Sequence, residues 1–489
     1  MPASVRPSVR FLDDTLAAKI ADEAMDVLSS AGVLIENTEA LSLLADGGAD
    51  CSQTGGRVLI PRKLVEDSLA SAPSTITMVD APGNHSYNVG GDNVHFDPGS
   101  AGLRIHDHLY RSSRPAVTED LVRFHRLTHR LDNFHFQSTG LISSDVPEAV
   151  SDAYRLFIAF QHCSKPIVTG TFLVEGFRPM AAMLSAIRGG SAELRRRPLA
   201  IFDACPSPPL KWTNLTTQSV IDCARAGIPS EFVAMPLTGA TSPVTIAGAL
   251  VQHTAENLAG LVISQLAHAG APAIFGGSPA SFDMRTGTPP MGAIETMMID
   301  SAYAQIGKLL GLPTHAYMGL SDAKSLDTQA GLESGMGTLL AALSGINVVS
   351  GGGMMDFEST VSLEKLVIDN EICGMARRMI EGIEQREDPI ALHVLKDVGS
   401  GIDFLTHPHT LQWLRLEHKF PRVMDRGDYS QWEASGKPSL ADRASLEVNR
   451  LLSAPAEPLL DPALRHELTE IMLGHGRAFG LTALPSGTG

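Results

Sequence analysis

The sequence predicts an α/β protein, a (β/α)8 TIM barrel with N- and C-terminal extensions, and three observations carry that reading. Apolar, β-rich runs recur through the middle of the chain with helix-length segments between them. The Gly-x-Gly-x-x-Gly and P-loop turns that an open, doubly wound sheet places after its first strand are absent. With 44 % hydrophobic and 19 % charged residues, the 489-residue chain has the apolar material for one large core.

Taken in order, the chain opens with an amphipathic helix, Asp13–Ala31, and continues through β-like runs at Val58–Pro61 and Thr75–Val79. Gly90-Gly91-Asp92-Asn93 then reads as a hairpin turn, which ends an N-terminal extension of residues 1–93. Strands follow at Phe134–Thr139, Ile167–Phe172, Leu199–Asp203, Glu231–Pro236, Pro272–Gly276, Thr314–Met318 and Ile346–Ser350. Between them lie helices Pro147–Cys163, Pro179–Arg188, Thr216–Ala226, Pro243–Ala269, Gly292–Leu310 and Gln329–Leu343. Strand, crossover helix, parallel strand is the βαβ unit, and its strands are apolar throughout because helices cover both faces of the sheet. An eighth strand is needed for closure. Val94–Asp97, followed by the helix Thr118–Leu131, is preferred to Ala391–Val394, which follows the helix Ser362–Ile383. The barrel then spans 94–387, and 388–489 is a C-terminal helical extension ending in a helix near Pro462–Phe479.

Charge and composition exclude several roles. Thirty-eight basic against fifty-four acidic residues leave −16, a field that repels nucleic acid and anionic membrane. Asn257–Phe282 and Gly335–Met355 lack charged residues, but their Gly and Ser clusters read as a helix running into a buried strand, not as membrane spans. The N-terminus has no apolar signal-peptide core, and the five cysteines have neither C-x-x-C nor zinc spacing, so a cytoplasmic protein with free thiols is expected. Apolar helices in both extensions point to a homo-oligomer.

In such a barrel the reacting groups stand at the C-terminal strand ends and in the loops after them. Asp97, Asp203 and Tyr317 end strands; Asp283 and Arg285 lie in the Gly/Ser/Pro loop after the strand that holds Phe275; Asp322 and Lys324 follow the next strand. Each has a plain structural reading beside it: Asp283 and Arg285 as a pair that ties down its own loop, Asp327 as a helix N-cap. His106-Asp107-His108 has metal-ligand spacing but reads as the exposed turn of a hairpin. Ser278 has no assigned base, and Cys205 sits in a Pro-rich turn. No motif for a tightly bound metal, nicotinamide, flavin or S-adenosylmethionine is present.

Several segments, in order, resemble the trimethylamine methyltransferase (MttB-like) family: Gly32-Val-Leu-Ile-Glu-Asn, Asp283-Met-Arg-Thr-Gly, Gly319-Leu-Ser-Asp-Ala-Lys-Ser-Leu-Asp-Thr-Gln-Ala-Gly, Glu364-Lys-Leu-Val-Ile-Asp-Asn-Glu-Ile and His407-Pro-His-Thr-Leu. The resemblance implies a barrel that moves a methyl group from a methylated amine to the cobalt of a corrinoid (cobalamin) held by a separate protein. The founding members carry pyrrolysine in the barrel; this chain has only the twenty ordinary residue types. That departure implies a quaternary amine such as glycine betaine, which leaves as a neutral tertiary amine and needs no activation. The implied site is an aromatic and acidic cage for a cation. Its expected members are Tyr317, Phe275 and Phe357 with Asp97, Asp203, Asp283 and Asp322, centred on Tyr317 and the Phe275–Arg285 loop; Arg285 or Lys324 is expected to pair with a betaine carboxylate. No catalytic residue is assigned. The competing readings are a quaternary-amine sensor without transfer activity, and a methyltransferase with a pterin acceptor.

Overall fold

The computed structural model describes residues 5–53, 55–108, 112–397, 403–455 and 458–485. Eight parallel strands run through its centre: β1 (His95–Pro98), β2 (Gln137–Ser138), β3 (Ile167–Gly170), β4 (Ala200–Ala204), β5 (Ser230–Ala234), β6 (Ala273–Gly277), β7 (His315–Tyr317) and β8 (Val348–Gly352). Ladders join β2 through β6 in order, and β7 to β8 to β1. The remaining seams are narrower. Phe275 bridges Thr314 between β6 and β7, and the backbone amides of His135 and Phe136 both donate to Phe96 O between β1 and β2. The ring is closed, and Val94–Asp97 is the strand that β8 pairs with. The rejected alternative, Ala391–Val394, overlaps the helix Leu392–Asp397.

A helix follows every strand: Thr118–His129, Ser151–His162, Phe177–Arg188, Asn214–Ala226, Ile246–Ala267, Ile294–Leu309, Thr328–Ser344 and Leu363–Ile380. Their ends are set locally. Asp327 caps the seventh by accepting from the Gln329 and Ala330 amides, and Gly345 closes it at φ 68°, where a β-carbon would be strained. Ile246–Ala267 is buried on nearly all sides because the N-terminal helix Asp14–Ser30 lays Ala17, Ile20, Ala21, Ala24 and Leu28 against it.

The two ends of the barrel differ in chemistry. Along each strand alternate residues point inward. The lowest inward layer, Phe136, Val168, Ile201, Ile274 and Val348, is apolar and is plugged by Ile76, Met78 and Val89 of an antiparallel hairpin, Thr75–Val79 with Ser86–Gly90. Two residues further up, Ser138, Asp203 and Ser350 are polar, while Gly170 and Gly276 leave room between them. His106 and His108 lie on a second hairpin, Arg104–Asp107 with Ser112–Pro115, where His106 is buried rather than exposed. Leu440–Ser453 and Pro462–Arg477 pack on the outer helices, whereas Pro408–Glu417 buries nothing. Among the described residues no helix is long and apolar enough to cross a membrane.

Candidate active site

Above the apolar floor the inward positions are Asp97 on β1, Asp203 on β4, Glu231 on β5, His315 and Tyr317 on β7, and Ser350 on β8. Four of them form one chain. Ser350 Oγ donates to Asp97 Oδ1 at 2.8 Å, His315 Nε2 lies 2.9 Å from Ser350 Oγ, and His315 Nδ1 lies 2.7 Å from Glu231 Oε1. Gly276 makes room for this imidazole, because a β-carbon there would stand 3.1 Å from Nδ1. Burial pushes the Glu231 carboxyl up to about 8 and the His315 imidazole down to about 4, each toward its neutral form. With Ser350 donating to Asp97, His315 Nε2 donates to Ser350 Oγ, whereas His315 Nδ1 and both Glu231 oxygens are buried without a hydrogen-bond partner despite their proximity.

At the mouth, Tyr317 and Asp203 line a cavity of about 310 Å³ with Arg155, Phe172, Cys205, Ser278 and Glu358. The Tyr317 hydroxyl donates to Asp203 Oδ2 at 3.4 Å, and its ring stands edge-on to His315 at 4.9 Å. Asp203 Oδ1 is buried without a hydrogen-bond partner, and burial with Glu231 beside it holds the carboxyl well above the usual range. Glu358 arrives by a costly route: Asp356, Phe357 and Glu358 all take the left-handed conformation, at φ 52°, 54° and 66°. That turn gives Phe357 to the outside and aims Glu358 at the cavity, where burial, then Asp203 and Asp322, raise it to about 8. Glu358 Oε1 is also buried without a partner. Cys205 is no activated nucleophile, since burial and then Asp203 and Glu231 push its thiol up.

The expected cage is therefore split. Tyr317 and Asp203 line the cavity, and Asp97 lies beneath it in the polar chain. Phe275 does not reach it. With Ile274 and Gly276 facing inward, Phe275 has the opposite parity, and its ring packs in the helix layer on His253 at 5.4 Å and Tyr303 at 6.3 Å. Asp283, Arg285, Asp322 and Phe357 line a separate outer groove of about 710 Å³. There Arg285 holds Asp283 by two contacts, at 2.7 and 3.0 Å. Asp322 accepts from the Met291 and Gly292 amides, and Phe357 lies under Lys324 Nζ at 3.9 Å. These groups fix loops.

Glu231, His315, Arg155 and Glu358 were missed. The first three left a readable sign, a single ionisable residue inside an apolar run: Ser-Glu231-Phe-Val-Ala, Thr-His315-Ala-Tyr-Met and Tyr-Arg155-Leu-Phe-Ile. Glu358 left none, because its place depends on the turn.

Comparison with known proteins decides the family. Residues 2–477 match the family described as trimethylamine methyltransferase (MTTB). The chain belongs to that family. Trimethylamine methyltransferase MttB of Desulfitobacterium hafniense (strain DSM 10664 / DCB-2) is 32 % identical over 450 residues, 92 % of this chain and 90 % of that one. A glycine betaine methyltransferase of Desulfitobacterium hafniense (strain Y51) is 29 % identical over 476 residues, 97 % of this chain and 98 % of that one. The crystal structure of the Methanosarcina barkeri monomethylamine methyltransferase MtmB superimposes with a TM-score of 0.56 at 12 % identity, covering 91 % of this chain and 89 % of that one, and shares the barrel fold. Membership makes the chain an amine methyltransferase.

Proposed function

We propose that the chain moves a methyl group from a quaternary amine of the glycine betaine kind to the cobalt of a corrinoid carried by a separate protein. One observation supports this reading most: the mouth cavity combines the Tyr317 ring with Asp203 and Glu358, each with a buried, unpartnered carboxylate oxygen. An unpaired buried carboxyl is costly unless a cation joins it. A quaternary ammonium, which neither donates a proton nor needs one, suits that place and stacks on an aromatic face.

The chain's own residues then have limited work. The cavity strips water from the cation, Tyr317 and the carboxyls hold it, and the wall orients one methyl toward the open mouth, where Phe172 stands at the rim with 41 % exposure. A Co(I) corrinoid on the partner protein would supply the electron pair of the new bond to carbon, with the N–C pair staying on nitrogen, so that a neutral tertiary amine would leave. No proton moves. No residue here needs to act as acid or base.

The acceptor and the amine are tested together by mixing the protein with glycine betaine, choline or trimethylamine and Co(I) cobalamin, and following methylcobalamin by absorbance. Transfer from a quaternary amine is expected. Measurable amine binding without transfer to cobalamin or to a corrinoid protein favours the sensor. The exposed Leu405, Leu411 and Phe420 around the unburied helix Pro408–Glu417 support a homo-oligomer of this otherwise cytoplasmic enzyme. Monomer mass by light scattering across a dilution series would contradict it.

A further inference from the structure

We infer that Arg155 recognises an anionic group on the substrate, so that the amine this cavity accepts is a zwitterion bearing a carboxylate rather than a simple tetraalkylammonium or a choline-like alcohol. The inference rests on the amine reading above and adds a second pole to the site.

Arg155 stands on the helix Ser151–His162 and is 2 % exposed. Its Nε and Nη1 are buried with no hydrogen-bond partner, and among the described residues no carboxylate lies within ion-pair distance of it. One face of the guanidinium lies on the Phe172 ring, 4.5 Å from its centroid, which fixes the plane and leaves the fork's edge free. The nearest carboxylate on its own helix is occupied. Asp152 accepts from the Ala153 amide at 2.7 Å and the Phe172 amide at 3.0 Å, and it packs against Gly176, where a β-carbon would meet Oδ2 at 2.0 Å. Arg188 shows what a half-buried arginine of this fold does when its role is structural: Nε and Nη1 donate to the carbonyls of Arg197, Asp80 and Ala81. Arg155 has no such partners. Asp152 and Asp203 act on the guanidinium through space without bonding to it, and a buried guanidinium with no hydrogen-bonded counter-ion is unfavourable; its rigid fork fits a carboxylate by two parallel bonds. It lines the same cavity as Tyr317, Asp203 and Glu358, so one cavity holds a cationic group together with carboxyls. That combination of charges matches a betaine.

The test is calorimetric titration of the full chain with three probes: glycine betaine, choline and tert-butylacetate, the isostere of betaine with carbon in place of the charged nitrogen. The wild type is expected to bind betaine at least about tenfold tighter than choline. Arg155→Met should abolish that preference, weakening betaine and tert-butylacetate while choline, relieved of a like charge, binds no more weakly. Arg155→Lys, which keeps the charge and loses the fork, should retain part of it. Equal affinity of the wild type for betaine and choline overturns the inference, and needs no variant to fold. So does an equal loss of both in Arg155→Met. The two readings fail differently. Binding of tert-butylacetate that depends on Arg155, with no binding of either cation, leaves the anion site standing and removes the quaternary-amine reading. Cation binding with no carboxylate preference does the reverse.

Discussion

Two arginines mark two cavities at the C-terminal end of the barrel, and they stand in opposite circumstances. Arg285 lies in the outer groove, its side chain 89 % exposed, and holds its own sequence neighbour Asp283 in a bidentate contact that keeps that carboxyl down at about 2. Arg155 is buried in the inner cavity with two nitrogens unpartnered, and burial lowers it to about 10, still charged at neutral pH. The acids divide the same way: Asp322 is engaged by backbone amides in the outer groove, whereas Asp203 and Glu358 each leave an oxygen unpaired within. A charged group already paired has little left for a ligand, while a buried unpaired one requires a partner from outside. Function is therefore read from unmet electrostatic demand.

The sharpest way to break this comparison is pH. Burial disfavours the charged forms of Glu231 and Glu358 and pushes both up to about 8 from an ordinary 4.5. A carboxyl raised in this way contributes stability that is fully present below about 4.5 and is lost as pH rises through about 8. A bound cation favours the ionised form, so it opposes that loss, and its affinity should climb with pH and level off above 8. If one such group must ionise, choline should bind roughly fiftyfold tighter at pH 8 than at pH 6. A flat affinity across that range in titration calorimetry would show that the inner carboxyls do not meet the cation. Glu358→Gln asks the same question of one residue. It should weaken choline by about 2 kcal/mol, ~30-fold, at pH 8.5, and much less at pH 6, where the wild-type side chain is already neutral. The difference between the two pH values separates charge from packing.

Tyr317 tests the aromatic part. Tyr317→Ala should cost about 1–2 kcal/mol of cation binding, near tenfold, whereas Tyr317→Phe keeps the ring and loses only the long contacts to Asp203 and Ser100. Equal losses in both variants would assign Tyr317 to holding Asp203 in place.

The fold was legible in the chain because a barrel's strands are buried on both sides, and runs such as Leu199–Asp203 and Thr314–Met318 cannot be mistaken for solvated loops. Closure by Val94–Asp97 was a choice between two runs, and the hydrogen bonds of β8 decide it. The candidate site was half legible. Asp203 and Tyr317 end strands at inward positions, and strand-end reasoning finds them. Phe275 ends a strand too, but one residue out of phase with Ile274 and Gly276, and no rule of strand ends supplies that phase. Asp283 and Arg285 drew attention because a long polar loop carries them, and the polarity serves the loop itself. Arg155 stands out as one charge in an apolar helical run, but only the neighbouring strands show that it faces the cavity.

Arg285→Ala is expected to give the smallest effect, and for that reason it separates the two cavities best. The sequence offered Arg285 as the residue that meets a betaine carboxylate, which requires betaine to suffer and choline to be spared. In the structure its guanidinium is turned to Asp283, Nε to Oδ1 and Nη2 to Oδ2, with the rest of the side chain in solvent. An exposed pair of that kind contributes little, and its loss frees Asp283 in water rather than in the protein interior. Asp283 would still be held by its backbone, since its amide donates to Thr288 O and its carbonyl accepts from the Gly287 amide. Affinity for betaine and for choline should both stay within about twofold of the wild type. A loss confined to betaine would return the carboxylate to the outer groove, move the substrate out of the barrel mouth, and leave the unpaired fork of Arg155 without a ligand.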